Sequence, residues 1–163
     1  MTVKLQAWCL VAILAGCTGE EDIQQFRFEV TGLGVEDGCN EPTVGYQDTW
    51  EFLLAFPEGN SFVELSIEDQ TFATGSINGC TIEYESVVWG EIVDGFNIRW
   101  QLSGSALFEL GGEGCGLETG KDWLGTETFT VVSTGDGDQK HPTITPGCQY
   151  ILDTEGSYLG LLE

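Results

Sequence analysis

Basic residues are scarce in this sequence. It has five Lys and Arg against 27 Asp and Glu, and a single histidine. So few cations cannot form the basic patch that binds nucleic acid or anionic lipid headgroups. The acidic excess favours solubility and cationic partners, including divalent metal ions, and it is equally typical of a solvated surface. The composition therefore argues against nucleic acid as a partner.

Long hydrophobic runs are missing as well. The apolar stretch from Leu5 to Gly16 has 12 residues, whereas a membrane-spanning helix needs about 20. Lys4 precedes this stretch, and small residues end it. A basic start, a short apolar run and a small-residue end are typical of an export signal. We therefore interpret the opening segment as a signal peptide and not as a permanent membrane span.

The end of this signal, Leu14-Ala15-Gly16-Cys17, resembles the lipobox of bacterial lipoproteins at all four positions. The resemblance implies that diacylglycerol is attached to the Cys17 thiol, that the signal is cut before this cysteine, and that the new amino terminus is acylated too. Two alternatives stay open: an ordinary cleaved signal whose Cys17 later joins a disulfide, and a short buried core helix. Ordinary cleavage before Cys17 would place Leu14 where a small residue is preferred.

Removing the signal, residues 1–16, leaves 147 residues, an ordinary size for one domain. Its 27 acids and four basic residues give a formal charge of −23. We assign residues 17–25 to the lipidated cysteine and a polar tether, and 26–163 to a single domain. The tether itself, Thr18 to Gln25, has 8 residues and reaches about 28 Å at most, so the domain would lie close to its membrane. Thr18 stands where an inner-membrane retention signal has Asp, so the resemblance favours the outer membrane in a Gram-negative host.

Four cysteines are left for the domain: Cys39, Cys80, Cys115 and Cys148. An even number in an exported chain predicts two disulfides. The alternative is a structural zinc site, which the wide spacing and the lack of a C-x-x-C pair disfavour. Each of the four directly follows a glycine, and glycine marks turns. The cysteines should therefore lie where strands meet loops.

Alternation of apolar and polar residues recurs along the mature chain, and no convincing helical pattern is present. Apolar side chains at every second position predict half-buried strands. Such stripes occupy Phe26–Val30, Trp50–Phe56, Val63–Ile67, Ile82–Tyr84, Phe96–Leu102 and Phe129–Val131. We therefore predict an all-β domain.

Short turns join these strands in series. Asn78-Gly79 is the strongest hairpin signal, because a type I′ turn needs positive φ at both central residues. Further turns are expected at residues 57–60 and at Asp94-Gly95. Serial short turns make an antiparallel meander, here of about eight strands. A lipocalin-like up-and-down barrel is favoured, and a two-sheet β-sandwich is the alternative.

The meander also predicts which cysteines pair. Counting strand ends alternately as top and bottom places Cys39 and Cys148 at one end of the domain, and Cys80 and Cys115 at the other. A disulfide requires Cα atoms within about 7 Å. We therefore predict Cys39–Cys148 and Cys80–Cys115.

Catalytic groupings are hard to find in the sequence. Asp136 and Asp138 flank a glycine and are weak candidates for Ca²⁺, since hard carboxylate oxygens suit this ion; an ordinary acidic turn is the alternative. Glu83 and Glu85 share one face of a strand, where solvated acids are expected. His141 has no nucleophile in a recognisable setting beside it and reads as a loop residue. No catalytic residue and no cofactor other than this weak calcium site are predicted.

Aromatic residues are the last candidates. A barrel could hold an apolar ligand if its interior were lined by Trp50, Phe52, Tyr84, Phe96 and Trp100. Aromatics are also ordinary core residues of β-proteins.

The function that we expect is a non-enzymatic binding or structural component of the cell envelope, held by a lipid anchor, with a small ligand or an envelope protein as partner. One alternative is a barrel-type carrier or sensor of a small apolar ligand. A carboxylate-based hydrolase is another, and it needs two acids facing each other, one with a raised pKa.

Overall fold

The computed structural model of the protein describes residues 23–39, 44–57, 61–68, 70–110, 115–118, 120–135 and 140–162. These residues form nine antiparallel strands and no helix. The lipobox with Cys17, and the calcium candidates Asp136 and Asp138, lie outside the described residues.

Within the described ranges, no helix has the length and apolar character needed to cross a lipid bilayer.

Eight of the nine strands close into an up-and-down barrel. The strands are β1 (Gln25–Asp37), β2 (Gln47–Ala55), β3 (Phe62–Ile67), β4 (Gln70–Asn78), β5 (Thr81–Ser86), β6 (Trp89–Val93), β7 (Phe96–Phe108), β8 (Trp123–Thr134) and β9 (Gln149–Leu161). Sequence neighbours pair throughout, apart from β5 and β6. Pairing of β1 with β9 and of β5 with β7 completes the circle. The all-β class and the barrel are both confirmed.

The one strand outside this closed circle of eight, β6, extends the wall made by β5. Both strands pair with the same edge of β7, β5 with residues 103–107 and β6 with residues 96–100. Val87 and Val88 join the two strands. Glu85 lies opposite Ser103, while Trp89 lies opposite Trp100. The β5–β6 side therefore carries one residue more than β7 across this join, which makes it a bulge.

The barrel wall is open beside this bulge. β4 pairs with β5 only from Ala73 onward, whereas Gln70 and Thr71 pair with β3. β6 in turn pairs with β7 alone among the described strands. A gap therefore separates the start of β4 from β6, which we call the lateral gap.

The alternating strand directions give the barrel two distinct ends. The amino-terminal residues, the β4–β5 turn and the β7–β8 loop lie at the lower end, and the β6–β7 turn and β8–β9 loop lie at the upper end. The chain enters at Ile23 and leaves at Leu162 at the lower end, where Leu162 N–H donates to the carbonyl of Gln25. A tether before residue 23 would therefore attach the lower end of the barrel.

Large side chains fill the lower barrel. Phe28 and Phe52 stack with ring centroids 5.5 Å apart, and Trp123 packs edge-on against Phe52 at 4.9 Å. The Trp123 indole N–H donates to Thr154 Oγ1 at 3.1 Å, which satisfies its buried polar atom. Leu54, like these rings, is almost wholly buried. This part of the barrel is a packed core.

A second cluster closes the upper end. It contains Ile98 and Trp100 of β7, Val131 of β8, and Ile144 from the loop before β9. Here the loop and not an opposite strand covers the apolar face. His141 fixes the loop, because its Nδ1 accepts hydrogen bonds from the backbone N–H of Ile144 at 3.0 Å and of Thr143 at 3.3 Å.

The two disulfides staple opposite ends of the barrel. Cys39 is joined to Cys148 at the upper end and Cys80 to Cys115 at the lower end, with Cα atoms 5.1 and 5.6 Å apart. These are the predicted pairs. Cys39, Cys80 and Cys148 lie within two residues of a strand end, as expected, whereas Cys115 lies in the middle of the β7–β8 loop. Two disulfides are compatible with an exported protein.

Candidate binding site at the lateral gap

A pocket of about 380 Å³ lies inside the upper half of the barrel, at the lateral gap. We call it the gap pocket. Its walls come from seven strands, β2 to β8, and the bulge, namely Trp50, Ile67, Gln70, Thr71, Phe72, Ser86, Val87, Trp89, Leu102, Glu127 and Phe129. Its volume falls within the range of about 300–1,000 Å³ typical of small-ligand sites. The barrel is therefore filled below and hollow beside the gap.

Most of the gap pocket is apolar, and aromatic rings supply much of its wall. Trp89 and Phe129 meet edge to face with centroids 6.2 Å apart. Phe129 also stacks on Tyr150 at 4.5 Å, which ties the wall to the upper cluster. At the rim, Val87 is 75% exposed and Ile67 is 43% exposed. Apolar side chains therefore line the opening as well as the interior.

One acidic side chain reaches this apolar pocket. Glu127 of β8 is 5% exposed and belongs to the pocket lining. Its Oε1 accepts a hydrogen bond of 2.8 Å from the Tyr84 hydroxyl. No other described residue donates to this carboxyl group in the structure. A carboxylate has room for about four hydrogen bonds, so most of its accepting capacity is unused.

The strand register brings Tyr84 and Glu127 together. Tyr84 of β5 lies opposite Gly104 of β7, and Gly104 lies opposite Glu127 of β8. The tyrosine ring crosses the middle strand to reach the acid. A Cβ atom at position 104 would overlap Cζ of this ring. Glycine is therefore required at 104 for the Tyr84–Glu127 contact.

Burial controls the acid–base properties of this pair. Desolvation raises the pKa of the Glu127 carboxyl above its ordinary value, and the Tyr84 hydrogen bond opposes this rise only in part. The pKa of Tyr84 is raised well above 10, mainly by burial and then by the nearby Glu127. Tyr84 therefore stays a hydrogen-bond donor, while the charge on Glu127 is costly at this buried position.

Two larger hollows lie on the outer wall, each about 740 Å³. Outward-facing polar side chains make up much of their lining, including Thr31, Ser105, Thr126 and Glu83. Neither hollow contains a buried charged group, so the gap pocket is the better candidate among the described residues.

The sequence prediction of a ligand-binding interior is only partly right about its residues. Trp50 lines the gap pocket. Phe52 and Tyr84 instead belong to the lower core, while Phe96 and Trp100 pack in the upper cluster. Alternation identified these rings as inward-facing, but it could not show at which height the barrel is hollow.

Glu127 was missed by sequence reasoning, although a signal was present. Trp123, Gly125, Glu127, Phe129 and Val131 occupy every second position of β8 and share its inner face. The apolar stripe that is evident in the sequence begins at Phe129. Glu127, two residues earlier, places an acid on the same buried face, and a buried polar residue is informative because it is rare in a strand of this kind.

The other predicted acids are not brought together here. Glu83 and Glu85 are exposed on the outer wall, and Glu127 is the one carboxyl in the described lining of the gap pocket. Among the described residues, no group of three or more His, Cys, Asp or Glu side chains could hold a metal ion. His141 lies in a loop, as expected, but it is buried and accepts backbone hydrogen bonds.

No protein-family model matches this chain. Comparison with curated proteins and with solved structures also found no match.

Proposed function

We propose that this protein is an exported, lipid-anchored binding protein of the bacterial envelope, and that its gap pocket takes a small ligand with an apolar body. The observation that carries the binding role is the pocket itself. It is an opening in an otherwise packed barrel, walled by Trp50, Phe72, Trp89 and Phe129. Concave, mainly apolar sites with few polar groups are typical of small-molecule binding.

The direction of the chain supports the anchored part of the proposal. The lipobox resemblance places the lipid at Cys17, and the first described residue, Ile23, lies at the lower end of the barrel. More than one acyl chain gives stable membrane attachment. The gap pocket would then lie in the upper half, away from the attachment point and open to ligands in the surrounding solution. Thr18 favours the outer membrane if the host is Gram-negative.

A titration with the neutral solvatochromic dye Nile red tests the binding role. The protein is secreted without lipid, beginning at Thr18, so that it contains every described strand. We expect the dye emission to rise and shift to the blue on entering the gap pocket. Val87→Trp places a large ring on the rim and should weaken binding at least about tenfold by steric exclusion.

Val88→Trp is the matched control. Val88 is 44% exposed and does not line the pocket, so this variant should bind the dye like the wild type. Equal dye binding by the wild type and both variants would show that the dye binds elsewhere. No dye binding by the wild type would count directly against an apolar ligand site.

A further inference from the structure

We propose that the ligand of the gap pocket carries an organic ammonium group, which binds between Glu127 and the aromatic wall. This inference rests on the proposed function and names the chemical class of the ligand. It depends on a buried acceptor with unused capacity, on the aromatic rings of the pocket, and on the lack of any basic side chain in the described pocket lining.

The carboxyl group has one donor among the described residues. Tyr84 donates to one oxygen of Glu127, and the remaining described lining offers no Lys, Arg or His side chain. The described Lys and Arg side chains lie elsewhere: Arg27 and Lys121 pair with acids on the surface, and Arg99 and Lys140 are exposed. A buried charge is stabilised by a partner that is charged and donates hydrogen bonds. A ligand ammonium group supplies both.

The aromatic wall fits the same group. Ring faces attract cations, most strongly those of tryptophan, and desolvated sites use this attraction to bind ammonium ligands. The gap pocket has two tryptophans, Trp50 and Trp89, and two phenylalanines, Phe72 and Phe129. Phe129 is two positions from Glu127 on the inner face of β8, so its Cα lies about 7 Å away. Acid and rings are therefore close enough to contact one small ligand.

Burial opposes the negative charge of Glu127, and an ammonium ligand would reduce this penalty. Burial raises the pKa of the carboxyl group. A bound cation favours the ionised form by direct attraction. The net acidity of the chain adds a long-range attraction for cations. An anionic ligand is instead disfavoured by the Glu127 carboxylate, by the ring faces and by the net acidity of the chain, and it should bind poorly.

Calorimetric titration with three eight-carbon probes tests this selectivity. Octylammonium, octan-1-ol and octanoate are compared at pH 7.5 in 150 mM salt, with the same secreted protein. We expect octylammonium to bind about 10- to 100-fold more tightly than octan-1-ol, as a charge-assisted hydrogen bond allows. Octanoate should bind more weakly than octan-1-ol.

Two variants with the same loss of charge locate the effect. Glu127→Gln should reduce octylammonium affinity to about that of octan-1-ol and leave octan-1-ol binding within about threefold of wild type. Glu83→Gln removes an equal charge from the outer wall and should leave all three affinities nearly unchanged. If Glu127→Gln does not fold, the Glu127 carboxyl ¹³C shift of the wild type serves instead. It should move with octylammonium and not with octan-1-ol.

The possible outcomes distinguish this inference from the proposed function on which it rests. Equal wild-type binding of octylammonium and octan-1-ol would overturn the ammonium class and keep an apolar ligand site. A preference for octylammonium that survives Glu127→Gln, or no response of the Glu127 shift, would assign the preference to general acidity and also overturn it. Binding of none of the three probes would contradict the proposed function itself.

Discussion

At the residue scale, the chemistry of the gap pocket depends on a single buried acid. Glu127 lies on a face that otherwise carries Trp123, Phe129 and Val131. Its one described donor, Tyr84, reaches it across Gly104. Burying an ionised carboxyl group with a single partner costs stability that an apolar side chain would not cost. An acid at this position therefore does not favour folding by itself, and under our proposal it serves ligand binding.

The charge of Glu127 makes stability depend on pH in a definite direction. Because burial raises the pKa of the folded carboxyl, the folded chain holds this proton to a higher pH than the unfolded chain. The contribution of the protonated acid to the free energy of unfolding is complete below the pKa of the unfolded chain, about 4.3. It is lost as the pH rises through the pKa of the folded state.

We therefore expect Glu127→Gln to leave the free energy of unfolding nearly unchanged at pH 4 and to increase it at pH 8. The amide keeps the shape and the acceptor for Tyr84 but never ionises. Urea denaturation at both pH values measures the difference, with Glu83→Gln as the exposed control. A difference between Glu127→Gln and wild type that is the same at both pH values would contradict the account.

At the scale of the strands, the gap pocket results from incomplete pairing between β4 and the wall formed by β5 and β6. β5 and β6 would form one continuous wall if Val87 and Val88 did not interrupt them. β4 pairs with β5 only from Ala73, so the upper wall parts at this interruption. Opposite the gap, the β8–β9 loop covers the upper cluster with Ile144. The pocket thus combines an opening in the side wall, between β4 and β6, with a cap at the upper end formed by the β8–β9 loop.

His141 is the residue that holds this cap. Its Nδ1 accepts from the backbone N–H groups of Ile144 and Thr143, and its ring packs edge-on against Phe96 at 5.2 Å. His141→Ala removes the acceptor and the ring, and should reduce the free energy of unfolding by about 2–3 kcal/mol. Hydrogen exchange of the Ile144 amide should also become faster.

Asp94→Asn provides the control for His141. Asp94 Oδ2 lies 3.6 Å from His141 Nε2, but the Asp94 side chain is 83% exposed. Because solvent screens the exposed Asp94 carboxylate, this pairing contributes little, and asparagine tolerates the positive φ of 50° at position 94. The cap role would be refuted if His141→Ala were no more destabilising than Asp94→Asn.

Sequence patterns predicted the elements unevenly, for physical reasons. The turn at Asn78-Gly79 and the long stripe at Phe96–Leu102 indicated their structures directly. β6 (Trp89–Val93) is short and mostly exposed, and β9 (Gln149–Leu161) carries two glycines in its second half, so neither shows a clean apolar stripe. The lateral gap depends on where β4 stops pairing with β5, and this register is a property of the closed barrel.

At the scale of the whole molecule, the alternating directions of the strands were enough to predict the disulfides. The chain reverses after every strand except β5, which β6 continues in the same direction, so Cys39 and Cys148 share one end and Cys80 and Cys115 the other. The same argument places the start of the described chain at the lower end. The gap pocket could not be predicted in this way, because a cavity depends on side-chain volumes and not on strand count.

The described residues thus form a packed and twice cross-linked barrel with an apolar opening at the lateral gap. Its lower half and its upper cap are filled by large side chains. The cost of leaving a hollow of about 380 Å³ beside the gap is reduced if a ligand occupies it, since binding to the folded state alone adds stability. We therefore expect the protein to be purified with its ligand when it is isolated gently from its own envelope.

Native mass spectrometry of the secreted protein, isolated without detergent, tests this central claim most directly. The account predicts a non-covalent adduct of small mass at one copy per chain, present in the wild type and in Val88→Trp and absent from Val87→Trp. Dissociation of the adduct would then give its mass and charge. A bare wild-type mass, or an adduct held equally by Val87→Trp, would contradict the assignment of the gap pocket as a ligand site.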